Sequence, residues 1–161
     1  RQDIPMLTSI FRSAAVWTAV GLASGLGYRE LTRQTGFTGF TQLAVAHTHA
    51  LTLGTVVLLL TLALVKVFGL DADRRLRLFL WFYNGGLAVT VGMLMLKGTL
   101  QVLDHPLATS KALAGISGLG HMTLTGTFVL LFLIIGRSLR TSAVHVVTVD
   151  PTGDRETEPA R

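Results

Sequence analysis

Four long apolar stretches are the feature of this sequence that most constrains its fold. They lie at residues 10–28, 43–70, 78–100 and 114–135. An α-helix needs about 20 mostly apolar residues to cross a bilayer. Only 14% of the 161 residues are charged, against roughly 25% in an average soluble domain, and the mean hydropathy is +0.55. The sequence therefore predicts an all-α integral membrane protein and excludes a disordered chain.

The connections between these stretches are short, which favours antiparallel packing of neighbouring helices. We therefore predict a four-helix bundle forming one transmembrane domain over residues 1–140. The polar residues 141–161 are expected to form a disordered tail. For the first stretch a cleaved signal peptide is the alternative, because the small residues at 23–25 are typical of a cleavage site.

The Lys and Arg residues are distributed unevenly between the two ends of the predicted helices. Leaving the tail aside, eight lie at one end, namely Arg1, Arg12, Lys66, Arg74, Arg75, Arg77, Arg137 and Arg140. Four lie at the other, namely Arg29, Arg33, Lys97 and Lys111. Because cytoplasmic loops carry the excess of positive charge, we predict that both termini are cytoplasmic. The run of three arginines at 74–77 favours contact with acidic lipid and is too short to predict nucleic-acid binding.

Several kinds of chemistry are excluded by residues that the sequence lacks. There is no cysteine, so disulfides, thiolate zinc sites, iron–sulfur clusters and covalently attached haem are excluded. The sequence has no nucleophilic triad, no phosphate-binding loop and no carboxylate in the core of a predicted span. It therefore shows no catalytic constellation, and we do not predict an enzyme.

Four of the five histidines fall in one predicted layer near the outer face. His47 and His49 lie on the second helix, His121 on the fourth, and His105 in the connection above them. Ionisable side chains inside a membrane are costly and tend to be functional, and neutral imidazole binds iron, copper and zinc. The alternative for each histidine is an ordinary hydrogen bond between helices.

Helix geometry separates the two histidines of the second helix. Residues two apart point about 200° away from one another, so only one of them can face a site in the bundle together with His121. We predict His47 and His121 as the ligand pair, with His49 as the alternative ligand or as a supporting partner. The sequence leaves the rotation of this helix open.

Small and polar residues near these histidines allow two interpretations. Gly54 lies two turns beneath His47, and Gly118 shares a face with His121. Glycines at these positions leave room for a flat porphyrin ring, but they equally suit close helix packing. Asn84, which precedes two glycines, is expected either to hydrogen bond between helices or to mark a local break.

Other candidate ligands and anchors lie close by. Arg29 is placed to pair with haem propionates, or else with Glu30 and lipid headgroups, and Lys97 is a second candidate for the propionates. Met93 and Met95 are soft ligands for haem iron or copper(I), or else packing residues.

Three motifs resemble a known bacterial family. They are Gly27-Tyr28-Arg29-Glu30-Leu31 with Gly36-Phe37-Thr38-Gly39, then His47-Thr48-His49, and finally the segment 116–121, which ends at His121. The family consists of small four-helix integral membrane proteins known only as a domain of unknown function, and the likeness covers residues 7–135. It implies four helices in a bacterial cytoplasmic membrane and supports the histidine positions, but it implies no activity.

A second resemblance is local. Val45-Ala46-His47-Thr48, with Gly54 beyond, is similar to the second helix of haem-copper oxidase catalytic subunits, especially the nitric oxide reductase branch. That likeness implies that His47 ligates a b haem. Those enzymes carry a His-x-His pair on a later helix where this chain has only His121, so reduction of oxygen or nitric oxide is not implied. Their arrangement as three arcs of four helices suggests a homotrimer here.

Three functions follow as competing hypotheses. The first is a membrane haem b protein with two histidine ligands, acting in electron transfer or haem handling. The second is a copper or zinc site for binding or transport, drawing on His47, His49, His105 and His121. The third is an accessory subunit of a larger respiratory complex, with the histidines as structural residues.

Overall fold

The computed structural model describes residues 4–70 and 73–147. Its four long helices are α1 (Ile4–Thr35), α2 (Leu43–Phe68), α3 (Arg74–Val102) and α4 (Lys111–Val147). All four are long and apolar enough to cross a membrane. The predicted all-α, four-helix membrane architecture is therefore confirmed, and the chain is a multi-pass membrane protein in contact with lipid.

The helices begin and end at residues with clear local reasons. α1 and α2 are followed by Gly36 (φ 67°) and Gly69 (φ 61°), in the left-handed region where glycine carries no steric penalty. α3 begins after Asp73, whose side chain accepts a hydrogen bond from the Arg75 amide at 2.8 Å. At the far end, residues 141–147 of the predicted tail continue α4, and the rest of that tail lies outside the described residues.

The centre of α2 is a π-helix, which hydropathy does not predict. α2 consists of an α-helical part (Leu43–His49), a π-helical part (Ala50–Val57) and a second α-helical part (Leu58–Phe68). The wider i→i+5 hydrogen bonding of a π-helix alters the pairing of its carbonyls. The Leu53 carbonyl accepts a hydrogen bond from the buried Tyr83 hydroxyl of α3 at 2.9 Å.

Hydrogen bonds between side chains join α1 to its neighbours at the same depth. The Trp17 indole N–H donates to Asn84 Oδ1 at 2.8 Å, and the hydroxyls of Thr18 and Thr55 share a hydrogen bond of 2.8 Å. With no water in the hydrocarbon core to replace these partners, such bonds favour one arrangement of the helices. Asn84 therefore acts as the predicted interhelical hydrogen-bonding residue, and α3 continues through the two glycines that follow it.

Glycines allow the closest helix contacts. A Cβ on Gly98 of α3 would overlap the backbone of Leu43 at the start of α2. A Cβ on Gly120 of α4 would lie 2.6 Å from Thr90 Oγ1 of α3. Deeper in the bundle the rings of Tyr83 and Phe128 meet edge to face, with centroids 5.7 Å apart. α4 packs mainly on α3, whereas α1, α2 and α3 all contact one another.

Replacing Gly98 by alanine tests the close contact between α3 and α2. We expect Gly98→Ala to lower the free energy of unfolding by about 2 kcal/mol, because the new methyl group forces the Leu43 backbone away. Thermal unfolding of the purified protein in nanodiscs measures the change. Gly92→Ala on the same helix is the matched control, since a Cβ there meets nothing within 4 Å. Equal unfolding midpoints for the two variants would contradict the contact.

Candidate functional site

His49 of α2 and His121 of α4 lie side by side. Their ring centroids are 6.4 Å apart, and the ring planes are inclined at 74°. His49 is half-buried and His121 is exposed at the surface of the helices. The two elements that carry these rings are separated in sequence but are brought together because α2 and α4 both pack on α3.

In each ring, Nδ1 makes a hydrogen bond to a carbonyl oxygen of the helix that carries the histidine. His49 Nδ1 lies 3.1 Å from the Val45 carbonyl oxygen, and His121 Nδ1 lies 2.9 Å from the Ser117 carbonyl oxygen. A carbonyl oxygen only accepts hydrogen bonds, so each Nδ1 must carry the proton. The neutral form of each ring therefore presents the lone pair of its Nε2.

His47 points to a different helix. A Cβ on Gly25 of α1 would lie 3.6 Å from the Cβ and Cγ of His47, so the imidazole packs against α1. Its Nδ1 is buried and has no hydrogen-bond partner among the residues that the structure describes. Of the two histidines that the sequence could not separate, His49 is thus the one beside His121.

The remaining candidate ligands lie away from this pair. His105 is exposed in the α3–α4 connection, where its Nδ1 accepts a hydrogen bond from the Leu107 amide at 3.2 Å and caps a short 3-10 helix. Met95 is half-buried against the apolar core, and Met93 is also half-buried. In the described part of the chain, no three His, Cys, Asp or Glu residues form a group that could hold a metal ion.

The two candidate glycines have different surroundings. A Cβ on Gly54 would overlap the Trp17 side chain, so the indole occupies the space that a flat ring beneath His47 would need. At Gly54 the alternative of close helix packing is therefore observed. Gly118 is exposed, and a Cβ there would meet nothing within 4 Å. The face of α4 next to His121 is thus open.

The candidate anchors for propionates lie on different helices. Glu30 accepts hydrogen bonds from Arg33 at 3.1 Å and Gln34 at 2.8 Å, and among the described residues its ion pair is with Arg33 and not with Arg29. Arg29 is exposed on α1 and makes no ion pair with any described residue. Lys97 is half-buried on α3, about two turns outward from Thr90 and on the same helix face.

Thr90 is a residue near the histidine pair that sequence analysis missed. Its side chain is completely buried, and its hydroxyl has no hydrogen-bond partner within the described ranges. It faces Gly120, the residue before His121. Its four-residue spacing from Gly86 places two small residues on one helix face, a pattern typical of close helix packing in membranes.

One family model matches the chain over residues 7–138, and its description is "Protein of unknown function (DUF2871)". The chain belongs to the DUF2871 family. The matched region contains all of the histidines of the predicted layer, and the resemblance to a four-helix family of unknown function is confirmed. No curated protein matches the chain, and no solved structure matches it. The likeness to haem-copper oxidases, and the homotrimer that it suggests, stay predictions from the sequence.

The contact between Gly120 and Thr90 determines how close α4 approaches α3, and we predict that it positions His121. In Gly120→Ala the new Cβ would lie 2.6 Å from Thr90 Oγ1 and 3.0 Å from the Thr90 amide nitrogen. We expect an unfolding free energy lower by about 2 kcal/mol, measured by thermal unfolding in nanodiscs. Gly118→Ala, two residues away with open space around its Cβ, should leave stability unchanged. An equal loss in both variants would contradict the contact as the cause, because the higher helix propensity of alanine alone would raise stability.

Proposed function

We propose that the chain is a small haem b protein of the bacterial cytoplasmic membrane, with His49 and His121 as the iron ligands, acting in electron transfer or haem handling. One observation supports this most directly: the two rings come from different helices and their centroids are 6.4 Å apart. Metal–imidazole bonds are about 2 Å long, so two imidazoles on opposite sides of one iron have ring centres about 6 Å apart.

The hydrogen bonds at the far side of each ring also suit a ligand role. Metal-binding histidines usually donate their other ring N–H to a carbonyl or a carboxylate, which fixes the tautomer and makes the ligating nitrogen more basic. Val45 and Ser117 supply such carbonyls to His49 and His121. Each helix therefore orients its own imidazole before any iron is bound.

The number of side chains that could act as metal ligands favours haem over a bare metal ion. Zinc sites in proteins usually have three or four side-chain ligands, and the described residues offer no such group. A porphyrin provides four nitrogens of its own, so two histidines complete the coordination of its iron. Haem supplies a one-electron iron couple when bound, and two imidazoles leave no open position for a gas.

An open helix face next to His121 and a cation on the neighbouring helix α3 are compatible with a haem. Gly118 presents an open face next to His121, and Lys97 lies on α3 toward the outer end of the bundle. Lys97 is a better candidate than Arg29 to pair with haem propionates, because α4 packs mainly on α3, which carries Lys97, and not on α1, which carries Arg29.

The distribution of cations supports the cytoplasmic placement of both termini. Arg12, Lys66, Arg74, Arg75 and Arg77 are all exposed. The alternating directions of α1, α2 and α3 put these residues at the same end of the bundle. Exposed cations at one end are suited to acidic headgroups on the cytoplasmic side.

Visible absorption spectra test haem ligation. We expect the purified protein to show a Soret band and, after dithionite, the sharp α and β bands of six-coordinate haem. His49→Ala and His121→Ala should each remove or shift the Soret band, because each removes one of the two proposed iron ligands. His105→Ala is the matched control, since this exposed histidine serves the α3–α4 connection, and His47→Ala should also retain the spectrum.

Other results would redirect the assignment. A spectrum lost in His47→Ala and kept in His49→Ala would return the ligand role to the pair predicted from the sequence. A preparation that stays colourless after haem is added would contradict haem binding. Elemental analysis would then separate a copper or zinc site from a metal-free accessory subunit. Mass measurement in nanodiscs tests the predicted homotrimer, which a purely monomeric protein would exclude.

A further inference from the structure

A crevice of about 380 Å³ lies between α1, the start of α2 and the outer half of α3. It is built from different residues than the His49–His121 pair. The side chains that matter most for its chemistry are Val20, Ala23, Tyr28, Met95 and Thr99. Clefts of roughly 300 Å³ or more with an apolar lining and a few polar groups are typical of small-molecule sites.

The lining changes from apolar to polar along the membrane normal. Val20 and Ala23 lie at the deep end, whereas Tyr28 and Thr99 lie nearer the outer ends of α1 and α3. None of the lining side chains is charged. The crevice therefore suits a neutral molecule with an apolar body and a polar head that points outward.

Two hydroxyls at the polar end have no partner within the part of the chain that the structure describes. The hydroxyls of Thr18 and Thr61 donate to the carbonyl four residues back in their own helices, at 2.8 Å each. The hydroxyls of Tyr28 and Thr99 make no such bond among these residues, and both groups line the crevice. Neither hydroxyl is buried, so both are accessible to a ligand with oxygen acceptors, which could accept a hydrogen bond from each of them.

We propose that this crevice binds a lipid-soluble quinone, with its ring carbonyls accepting hydrogen bonds from Tyr28 and Thr99 and its tail extending into lipid. A hydrocarbon chain alone would leave both hydroxyls unpaired, and a phospholipid headgroup would need a cation that the lining lacks. The inference rests on the proposed function, because a quinol is the membrane-soluble electron donor that a haem protein of this size would use.

The crevice and His47 share a turn of α1. Ser24 lines the crevice, and the next residue, Gly25, packs against His47. Gly27, Tyr28 and Leu31, which belong to the first motif singled out in the sequence, also line it. These three residues of the motif, which have no part in the proposed haem ligation, thus have a role in ligand binding.

Fluorescence quenching tests the proposal, because a bound quinone quenches a nearby tryptophan. The chain has two tryptophans, and the Trp81→Phe variant leaves Trp17, which lies one turn below Val20 on α1. The full-length variant in nanodiscs is titrated with a quinone that carries a single isoprene unit. We expect saturable quenching, with a Kd raised about fivefold by Tyr28→Phe or by Thr99→Val, since each removes one hydrogen bond.

Control variants separate binding in the crevice from partition into lipid. Thr52→Val removes an exposed hydroxyl elsewhere on α2 and should leave the Kd unchanged. Ala23→Phe fills the deep end and should abolish saturation. Linear quenching that is the same with and without Ala23→Phe would overturn the proposal, as would equal competition by a sterol that has no carbonyl group.

The outcome is independent of the haem assignment. We expect the same quinone Kd in the His121→Ala background, because His121 lies on α4, which does not line the crevice. Loss of the Soret band with retained quenching would therefore assign the two results to separate sites. Loss of quenching in His121→Ala would overturn the placement of the quinone between α1 and α3.

Discussion

The hydrogen bond from the Tyr83 hydroxyl to the Leu53 carbonyl is the contact on which the arrangement of the helices depends most. No water in the hydrocarbon core can replace either partner, so separating α2 from α3 would leave both unpaired. The Tyr83 ring also meets Phe128 of α4 edge to face, at 5.7 Å between centroids. One side chain thus contacts two neighbouring helices, and its position sets their spacing.

Regular α-helical geometry directs the two histidines to different neighbours, because they lie two residues apart in the α-helical part of α2, and the π-helical segment affects which neighbour each of them faces. A π-helix advances through fewer degrees per residue than an α-helix, so residues 50–57 rotate the outer part of α2 relative to its inner part. In this arrangement His49 meets His121 of α4, while His47 packs on Gly25 of α1. The polar contacts of the π-helical segment itself, at Leu53 and Thr55, are kept at the same time.

Much of the fold could be predicted from the sequence, because the thickness of the bilayer sets how many apolar residues a spanning helix needs. Three of the four helices, α1, α3 and α4, are longer than their stretches, since residues such as Arg33 extend a helix into polar surroundings without losing backbone hydrogen bonds. The histidine layer was also visible from depth alone. The rotation of α2 about its own axis could not be predicted from the sequence, because it depends on the contacts of Leu53 and Gly54 with other helices. The crevice was missed because its small residues have the spacing of ordinary helix packing.

The packing of α4 mainly on α3 has a consequence for the order of assembly. Helices of membrane proteins insert first and associate afterwards, and α1, α2 and α3 already contact one another without α4. The two imidazoles of His49 and His121 meet only when the last helix associates. Any ligand that bridges them binds the completed chain alone and stabilises it by mass action. A chain without such a ligand would therefore spend more time with α4 detached than a chain that has bound it.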